Sequence, residues 1–287
     1  MVRWSERLPD FTVELNVEHT AELNDKARAK YGTSKPRIAT HASDLFYCLR
    51  KGWQRIIDAN NGVQENPSIN TLWTWASGLM FEEWVSDGYD QQARMGWCPR
   101  CTLVEDIDGH AEQVHCPQCG ERWVLGTPDW IDEDGVINES KQTRKSSRYG
   151  LDRAQNYVDQ LRTYLMFDHI KGNTDHQDTE LVGDWIMGDY GAKHGKDISH
   201  PPQSVLNAHT VTFSSGFEAP WAAELDRRKD IVEAKDMPLL NGMGDGDELC
   251  PQYDWECATC DVGLALECPS YIWDKEGMIK LEPSTDS

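Results

Sequence analysis

Gly126-Thr127-Pro128-Asp129-Trp130-Ile131-Asp132-Glu133-Asp134-Gly135-Val136-Ile137-Asn138-Glu139-Ser140-Lys141 is the stretch on which the reading of this chain turns. Trp123 to Ile131 and Val136 to Gln142 each read as a short strand. Glu133, Asp134 and Gly135 between them suit a three-residue hairpin loop with glycine in the left-handed position. In that register Asp129 stands opposite Glu139. Successive side chains alternate faces along a strand, so Glu139 and Lys141 share one face and Asp129 joins them from across the pair. Two carboxylates side by side repel unless a cation sits between them, and hard oxygen ligands suit magnesium or manganese. A lysine two residues on is placed to orient a metal-bound water toward a phosphodiester. The competing reading of the same pattern is a surface hairpin with a solvated charged face.

The chain has 287 residues and a formal net charge of -21. That length can bury a real core, as one large domain or one with inserted modules. The acidity argues against a protein that coats nucleic acid through its overall field, and confines phosphate contacts to a groove. Two local basic tracks stand out: Lys141, Arg144, Lys145, Arg148 and Arg153 after the hairpin, and Arg50, Lys51 and Arg55 near Cys48. No apolar run reaches the roughly 18 residues that span a bilayer, and Met1 to Arg7 has no signal-peptide core, so a soluble cytoplasmic protein with no membrane partner is expected. Nine cysteines in such a chain read as metal ligands before disulfides.

Two of the cysteine groups have metal-site spacing. Cys98-Pro99-Arg100-Cys101 and, fourteen residues on, Cys116-Pro117-Gln118-Cys119-Gly120 bring four thiolates within tetrahedral reach, the zinc-ribbon arrangement; a rubredoxin-like iron site or redox pairs are the alternatives. His110 and His115 flank it as bystanders. Near the C-terminus stand Cys250, Cys257, Cys260 and Cys268. Those four could bind zinc by themselves, or three of them with Cys48 could hold an iron-sulfur cluster that ties the ends of the chain together.

The remaining pattern is of alternating helices and strands. A helix is expected around Glu18 to Lys30. A capped amphipathic helix begins at Thr40 or Ser43, with Leu45, Leu49, Trp53 and Ile56 on one stripe and Cys48 inside it. A second runs from Ser68 to about Asp87, where Gly78 suggests close backbone packing and Glu82, one turn on, would complete the metal site. A long helix covers Leu151 to Ile170, with Gln160 and Tyr164 as surface neighbours. Strands are expected at Leu181 to Met187 and Ala208 to Ser214, then a helix from about Ala219 to Ala234. His194 to Pro202 and Asn241 to Asp247 read as loops, and Leu281 to Ser287 as a frayed tail.

In this order the pieces resemble the RecB-like branch of the PD-(D/E)XK nucleases, and within it the CRISPR-associated exonucleases of family four and their viral relatives. The resemblance rests on Cys48-Leu49-Arg50-Lys51, Gly78 with Glu82, Gly126 to Asp129, Glu139 to Lys141, Gln160 with Tyr164, and the C-terminal cysteines, covering roughly residues 40 to 270. Glu82 stands where the family commonly has histidine, Cys260 and Cys268 are more widely spaced than its pattern, Cys250 is extra, and the zinc ribbon is not a general family feature.

The resemblance implies an α/β fold: a PD-(D/E)XK (restriction-endonuclease-like) core with a central mixed sheet flanked by helices, an inserted zinc ribbon protruding from it, and a terminal cysteine-cluster lobe. The corresponding parts are an N-terminal helical part (1–95), the ribbon (96–122), the nuclease core (123–235) and the C-terminal cysteine segment and tail (236–287). It implies a metal-dependent DNA exonuclease acting on single-stranded ends, in recombination, repair or viral DNA processing. Glu82, Asp129, Glu139 and the Ser140 carbonyl would hold magnesium or manganese, Lys141 would orient the water, and Gln160 and Tyr164 would position the strand or the lysine. Cys48, Cys257, Cys260 and Cys268 would hold a [4Fe-4S] cluster as a staple. DNA is the expected partner, with recombination or CRISPR adaptation proteins beside it, in a host cytoplasm if the chain is viral. Trp130 is placed to stack a base. The rival class is a non-catalytic zinc-ribbon DNA-binding or adaptor protein, and a nuclease of CRISPR spacer acquisition would share the chemistry.

Overall fold

The computed structural model describes residues 17–31, 39–63, 69–86, 94–107, 114–146, 155–187, 203–238, 271–274 and 277–280. Cys250, Cys257, Cys260 and Cys268, the loops expected at 194–202 and 241–247, and the side chains of Arg144, Lys145, Arg148 and Arg153 lie outside what is described. No helix among the described residues is long and apolar enough to cross a membrane.

The chain is α/β with two four-stranded sheets in place of the single central one expected. Helix α1 (Val17–Tyr31) precedes β1 (Thr40–His41), a 3₁₀ turn (Ala42–Leu45), α2 (Leu49–Asn60) and α3 (Ile69–Val85). Next come β2 (Met95–Cys98), β3 (Leu103–Asp106), β4 (Val124–Gly126), β5 (Trp130–Ile131) and β6 (Ile137–Ser146), then α4 (Gln155–Lys171), β7 (Asp178–Met187), β8 (Gln203–Thr212) and α5 (Glu218–Val232). A separate antiparallel pair, β9 (Tyr271–Asp274) and β10 (Gly277–Lys280), follows. One sheet has the order β1-β4-β2-β3 and the other β5-β6-β7-β8. Strands β6 and β7 run parallel because α4 carries the chain back between them, as parallel pairing requires.

The run expected as one strand from Trp123 to Ile131 is split between the two sheets. Val124 to Leu125 pair with β1, Val124 to Gly126 pair with β2, and Trp130 and Ile131 pair with β6. Pro128 explains the break, since it has no N–H to continue a ladder. The strands beside the first cysteine pair are therefore part of a sheet that includes β1. They do not stand apart as a protruding ribbon.

The Thr40 segment also differs from its reading. Only a 3₁₀ turn forms at 42–45, and α2 starts after Cys48, which is its N-cap residue and not an interior one. The Asp44 carboxylate accepts from the His41 amide (3.4 Å) and from Arg55 Nη1 (2.8 Å), and these bonds hold the turn in its tight form against α2. The expected basic track is thereby taken apart: Arg55 is committed to Asp44, and Arg50 is buried with Nη2 directed at Met237 sulfur.

Leu45, Phe46 and Leu49 pack with Leu161, Leu165 and Phe167 of α4, Leu181 of β7 and Leu225 of α5 in the main core. Helix α4 is buried on nearly every side, which is why its polar members are paired inward: Thr163 Oγ1 accepts from Trp221 Nε1 at 2.9 Å and donates to the Asp159 carbonyl at 2.8 Å. A smaller core gathers Ala39, Cys98, Ile107, Cys116, Trp123 and Leu125 beneath the cysteines.

Gly78 is not explained by close packing, because a Cβ built there meets nothing within 4 Å. Gly126 is the glycine that packing demands. A Cβ at that position would lie 2.9 Å from ring carbons of both Tyr164 and Phe167, so only a bare backbone lets β4 pass this close to α4.

Candidate metal centres

The hairpin closes as its sequence directs. Gly135 has φ +82°, its amide donates to the Asp132 carbonyl (3.0 Å), and the Asp132 amide donates to Val136 (3.1 Å), leaving residues 133 to 135 as the loop. Trp130 faces Asn138 and Ile131 faces Ile137, so continuing the ladder by one residue sets Asp129 across from Glu139. There Asp129 Oδ2 accepts from the Ser140 amide at 2.6 Å and from Ser140 Oγ at 2.7 Å. Ser140 meets Asp129 through these two donors, where its carbonyl was the group expected to serve.

Glu139 is the centre of the group. Its side chain is 1% exposed, and Oε1 accepts both from the Lys141 ammonium and from Gln160 Nε2 at 2.7 Å. The same Gln160 nitrogen donates to Tyr164 Oη at 2.8 Å, so Gln160 reaches this carboxylate directly and Tyr164 meets it only through Gln160. The other oxygen, Oε2, is buried with no hydrogen-bond partner. Burial first, and then the charge of Asp129, push the Glu139 carboxyl up to about 8; Lys141 pulls the other way without cancelling them, and Glu82 adds a further push. Burial opposes the charged form of Lys141 as well, but the Glu139 and Asp129 carboxylates outweigh it and hold the ammonium above the ordinary lysine range.

Glu82, Asp129 and Lys141 therefore all act electrically on Glu139, although they come from α3, the turn before β5, and β6. Glu82 is half-buried on α3. The three carboxylates are not drawn tight: among the described residues, the only cysteine, histidine, aspartate and glutamate group whose ligand atoms all lie within 4.8 Å is the four cysteines. A divalent cation at this place would require Glu82 and Asp129 to close on Glu139.

The Glu139 titration has a direct consequence for stability. A carboxyl whose folded value lies above its unfolded one keeps its proton longer in the native state, so stability falls as pH rises from the ordinary glutamate range toward 8. In buffer free of magnesium and manganese, the wild-type chain should lose stability across pH 5 to 8 by up to about 1.4 kcal/mol per pH unit. Glu139→Gln should lack that portion of the slope in thermal melts. Parallel slopes in the two proteins would contradict the burial argument.

Three residues that the sequence did not single out complete the surroundings. Tyr47 Oη accepts from Asn156 Nδ2 at 3.0 Å, and the Lys141 ammonium stands 5.7 Å from the centre of the Tyr157 ring. Tyr47 is adjacent to Cys48, and Asn156 and Tyr157 open α4, so the signal was their proximity to residues already marked. Trp130, by contrast, is 5% exposed and has no open ring face for a base.

The four-cysteine group is tighter. Cys98 and Cys119 sulfurs are 3.6 Å apart and Cys116 and Cys101 sulfurs 3.9 Å apart. Four sulfurs about 2.3 Å from one ion would have edges of about 3.8 Å, so a single tetrahedral metal ion fits among them. Each second cysteine is followed by a residue in the left-handed region, Thr102 at φ +49° and Gly120 at φ +75°. Glycine takes that conformation freely, whereas β-branched Thr102 is strained there. Burial pushes the Cys98 thiol up to about 11, and its contact with Cys119 pushes Cys101 up to about 12, while the Glu121 amide draws Cys119 down. His115 makes a bridge to Arg122 and is not among the ligand atoms; His110 lies outside the described residues.

The group is anchored to the helices on two sides. Glu121, just past Gly120, accepts from the buried Lys229 of α5 at 2.6 Å, and Lys171 at the end of α4 reaches Asp106 of β3 at 2.7 Å. Cys48, the described member of the other expected cluster, is half-buried at the head of α2.

No family model matches this sequence, and no curated protein matches it. Among solved structures, the crystal structure of SSO0001 is similar with a TM-score of 0.45 at 13% identity, over 88% of this chain and 96% of that one.

Proposed function

We propose that this chain is a metal-dependent deoxyribonuclease of the PD-(D/E)XK type that hydrolyses phosphodiesters at single-stranded DNA ends. The observation that carries this reading is Glu139. A fully buried carboxylate with one oxygen engaged by Lys141 and Gln160 and the other bare is poorly suited to a structural role, because a buried polar atom without a partner costs about 1 to 3 kcal/mol. A hard cation on Oε2 would remove that cost without disturbing Lys141 or Gln160.

The cation would be magnesium or manganese, held by Glu82, Asp129, Glu139 and the Ser140 carbonyl, and would supply Lewis-acid polarisation of the scissile phosphate. Lys141 is held charged, so its part is to donate: it orients the attacking water and meets negative charge developing on the phosphate. Gln160 fixes the Glu139 carboxylate from α4, and Tyr164 fixes Gln160. Gly126 allows Tyr164 to come close enough to do so.

For the cysteines we propose structural zinc at Cys98, Cys101, Cys116 and Cys119. Sulfur separations of 3.6 and 3.9 Å leave room for one ion and not for a cube of irons. A [4Fe-4S] cluster on Cys48, Cys257, Cys260 and Cys268 is proposed from the sequence alone. An anaerobic absorption spectrum tests it, since thiolate-to-iron charge transfer gives a broad band near roughly 400 nm.

The test of the reading as a whole uses labelled single-stranded DNA. Wild-type protein should degrade it with manganese and not without, and Asp129→Ala should remove the activity while leaving the fold intact by circular dichroism. Absence of degradation by wild type under any divalent cation would favour a DNA-binding or adaptor protein.

A further inference from the structure

We propose that a cavity between the end of β8 and the start of α5 binds a nucleoside monophosphate, with the Arg162 guanidinium taking its phosphate and the Phe217 ring its base. The choice of a nucleotide rests on the nuclease reading, but the place is apart from the acidic hairpin. Arg162 is two residues from Gln160, about 200° around α4, and so stands on the opposite side of that helix from Glu139.

The cavity has a volume of about 410 Å³. Small molecules are held in spaces of about 300 to 1,000 Å³. Phe213, Phe217 and Trp221 supply its ring walls, and Arg162, Thr212 and Ser214 its polar groups. The local sequence builds these walls. Gly216 turns the chain at φ +82°, and the Phe217 amide donates to the Ser214 carbonyl at 3.2 Å, which folds the Phe217 ring back to 5.2 Å from that of Phe213. Trp221 is fixed separately, since its Nε1 donates to Thr163 Oγ1 at 2.9 Å. Phe213 and Trp221 are buried, whereas Phe217 is half-buried and presents ring surface to the cavity.

The guanidinium carbon of Arg162 lies 5.4 Å from the centre of the Phe213 ring and 4.7 Å from that of Trp221. This packing and a bond from Nη1 to Asp159 Oδ1 at 3.1 Å hold it in place. Among the described residues its Nε and Nη2 make no hydrogen bond, and neither do the hydroxyls of Thr212 and Ser214. Asp159 is divided between Arg162 and Arg228, and Glu224 between Arg228 and Arg227, so neither acid neutralises Arg162 in full. Glu218, the acid next to Phe217, is turned to His169 Nδ1 at 2.7 Å. Rings alone would suit an apolar ligand, but an arginine with donors to spare and two hydroxyls call for an anionic group on the same molecule. A guanidinium fork meets phosphate oxygens with two parallel bonds, and every base has a π-face that an aromatic wall can take.

The experiment is isothermal titration calorimetry of the full-length chain in buffer free of magnesium and manganese, so that no such cation at the acidic hairpin holds a phosphate. The probes are deoxyadenosine 5′-monophosphate, deoxyadenosine and inorganic phosphate. The monophosphate should bind once per chain, and the other two at least about tenfold more weakly, because each lacks one of the two contacts. Arg162→Lys keeps the charge but loses the fork, and should weaken the monophosphate about tenfold. Ser214→Ala, at an exposed position, should weaken it about threefold with an unchanged melting temperature. Asp129→Ala, which disables the acidic hairpin, should bind it as wild type does.

Equal affinity for the monophosphate and deoxyadenosine, affinity unmoved in both Arg162→Lys and Ser214→Ala, loss of binding in Asp129→Ala, or no binding by wild type would each overturn the proposal. If wild type binds in the expected pattern but fails to degrade DNA, the nuclease reading falls and the cavity stands. Degradation without binding has the reverse meaning.

Discussion

Lys141→Ala is expected to reduce manganese-dependent degradation of single-stranded DNA by about a hundred- to a thousandfold, the scale on which a single charge-stabilising donor acts at a transition state. Lys141 is held charged by Glu139 and Asp129 together, which keeps its ammonium at the carboxylate that would share the cation. Alanine removes both the positive charge and the hydrogen-bond donor. The protein should nevertheless remain folded. Glu139, pushed up to about 8, can take a proton near neutral pH and so avoid standing as an unpaired buried charge. Manganese binding should survive as well, since the carboxylates remain, and this separates a chemical defect from loss of the metal. Rates measured alongside manganese titration and circular dichroism check the three points. Unchanged degradation in both Lys141→Ala and Asp129→Ala would sink the catalytic assignment.

Replacing Cys98 with serine should have the largest structural effect. Zinc contributes on the order of 10 kcal/mol to the folding of small thiolate modules, and among the described residues the core beneath these four sulfurs has six buried members, two of which are ligands themselves. Loss of the ion should lower the melting temperature by at least about 10 °C, because a change of about 1 kcal/mol already moves a domain of this size by about 2 °C. It should also expose Trp123, seen as a red shift in tryptophan fluorescence. The damage should not stay local. Glu121 holds Lys229, Asp106 holds Lys171, and β4 leads from Trp123 to Gly126 and thence to Tyr164, so nuclease activity should fall along with stability. Elemental analysis should find one metal ion at this group in wild type and none in Cys98→Ser. A variant that melts like wild type would show that no ion supports the module.

Local chemistry was the part of this protein that the sequence made legible. A loop of two acids and a glycine dictates where the hairpin turns, and strand alternation then places Asp129 opposite Glu139 without any knowledge of the remainder. The spacing of Cys98, Cys101, Cys116 and Cys119 likewise determines their meeting. What stayed hidden depends on partners far along the chain. Pro128 divides one apparent strand between two sheets, and the second sheet is visible only once β1 is known to lie beside β4. The start of α2 after Cys48 depends on Asp44 being claimed by Arg55, a competition that helix periodicity does not register. Gly78 and Gly126 are equivalent on paper, but ring carbons of Tyr164 and Phe167 crowd only the second. Tyr47 was passed over because a tyrosine beside a cysteine has no motif of its own.

The N-terminal part of the molecule is held largely by residues made much later. Thr40 donates to Glu233, the Leu45 carbonyl accepts from Arg228 at 3.1 Å, and Trp53 donates to the Ala234 carbonyl at 2.9 Å, contacts that span 193, 183 and 181 positions respectively. On a ribosome adding about 5 to 20 residues per second, the turn around Leu45 and Phe46 would wait roughly 10 to 40 seconds for α5 to emerge. Through that interval Leu45, Phe46 and Leu49 have no completed core to enter, which makes slow, late-closing folding the expected kinetic signature of the chain.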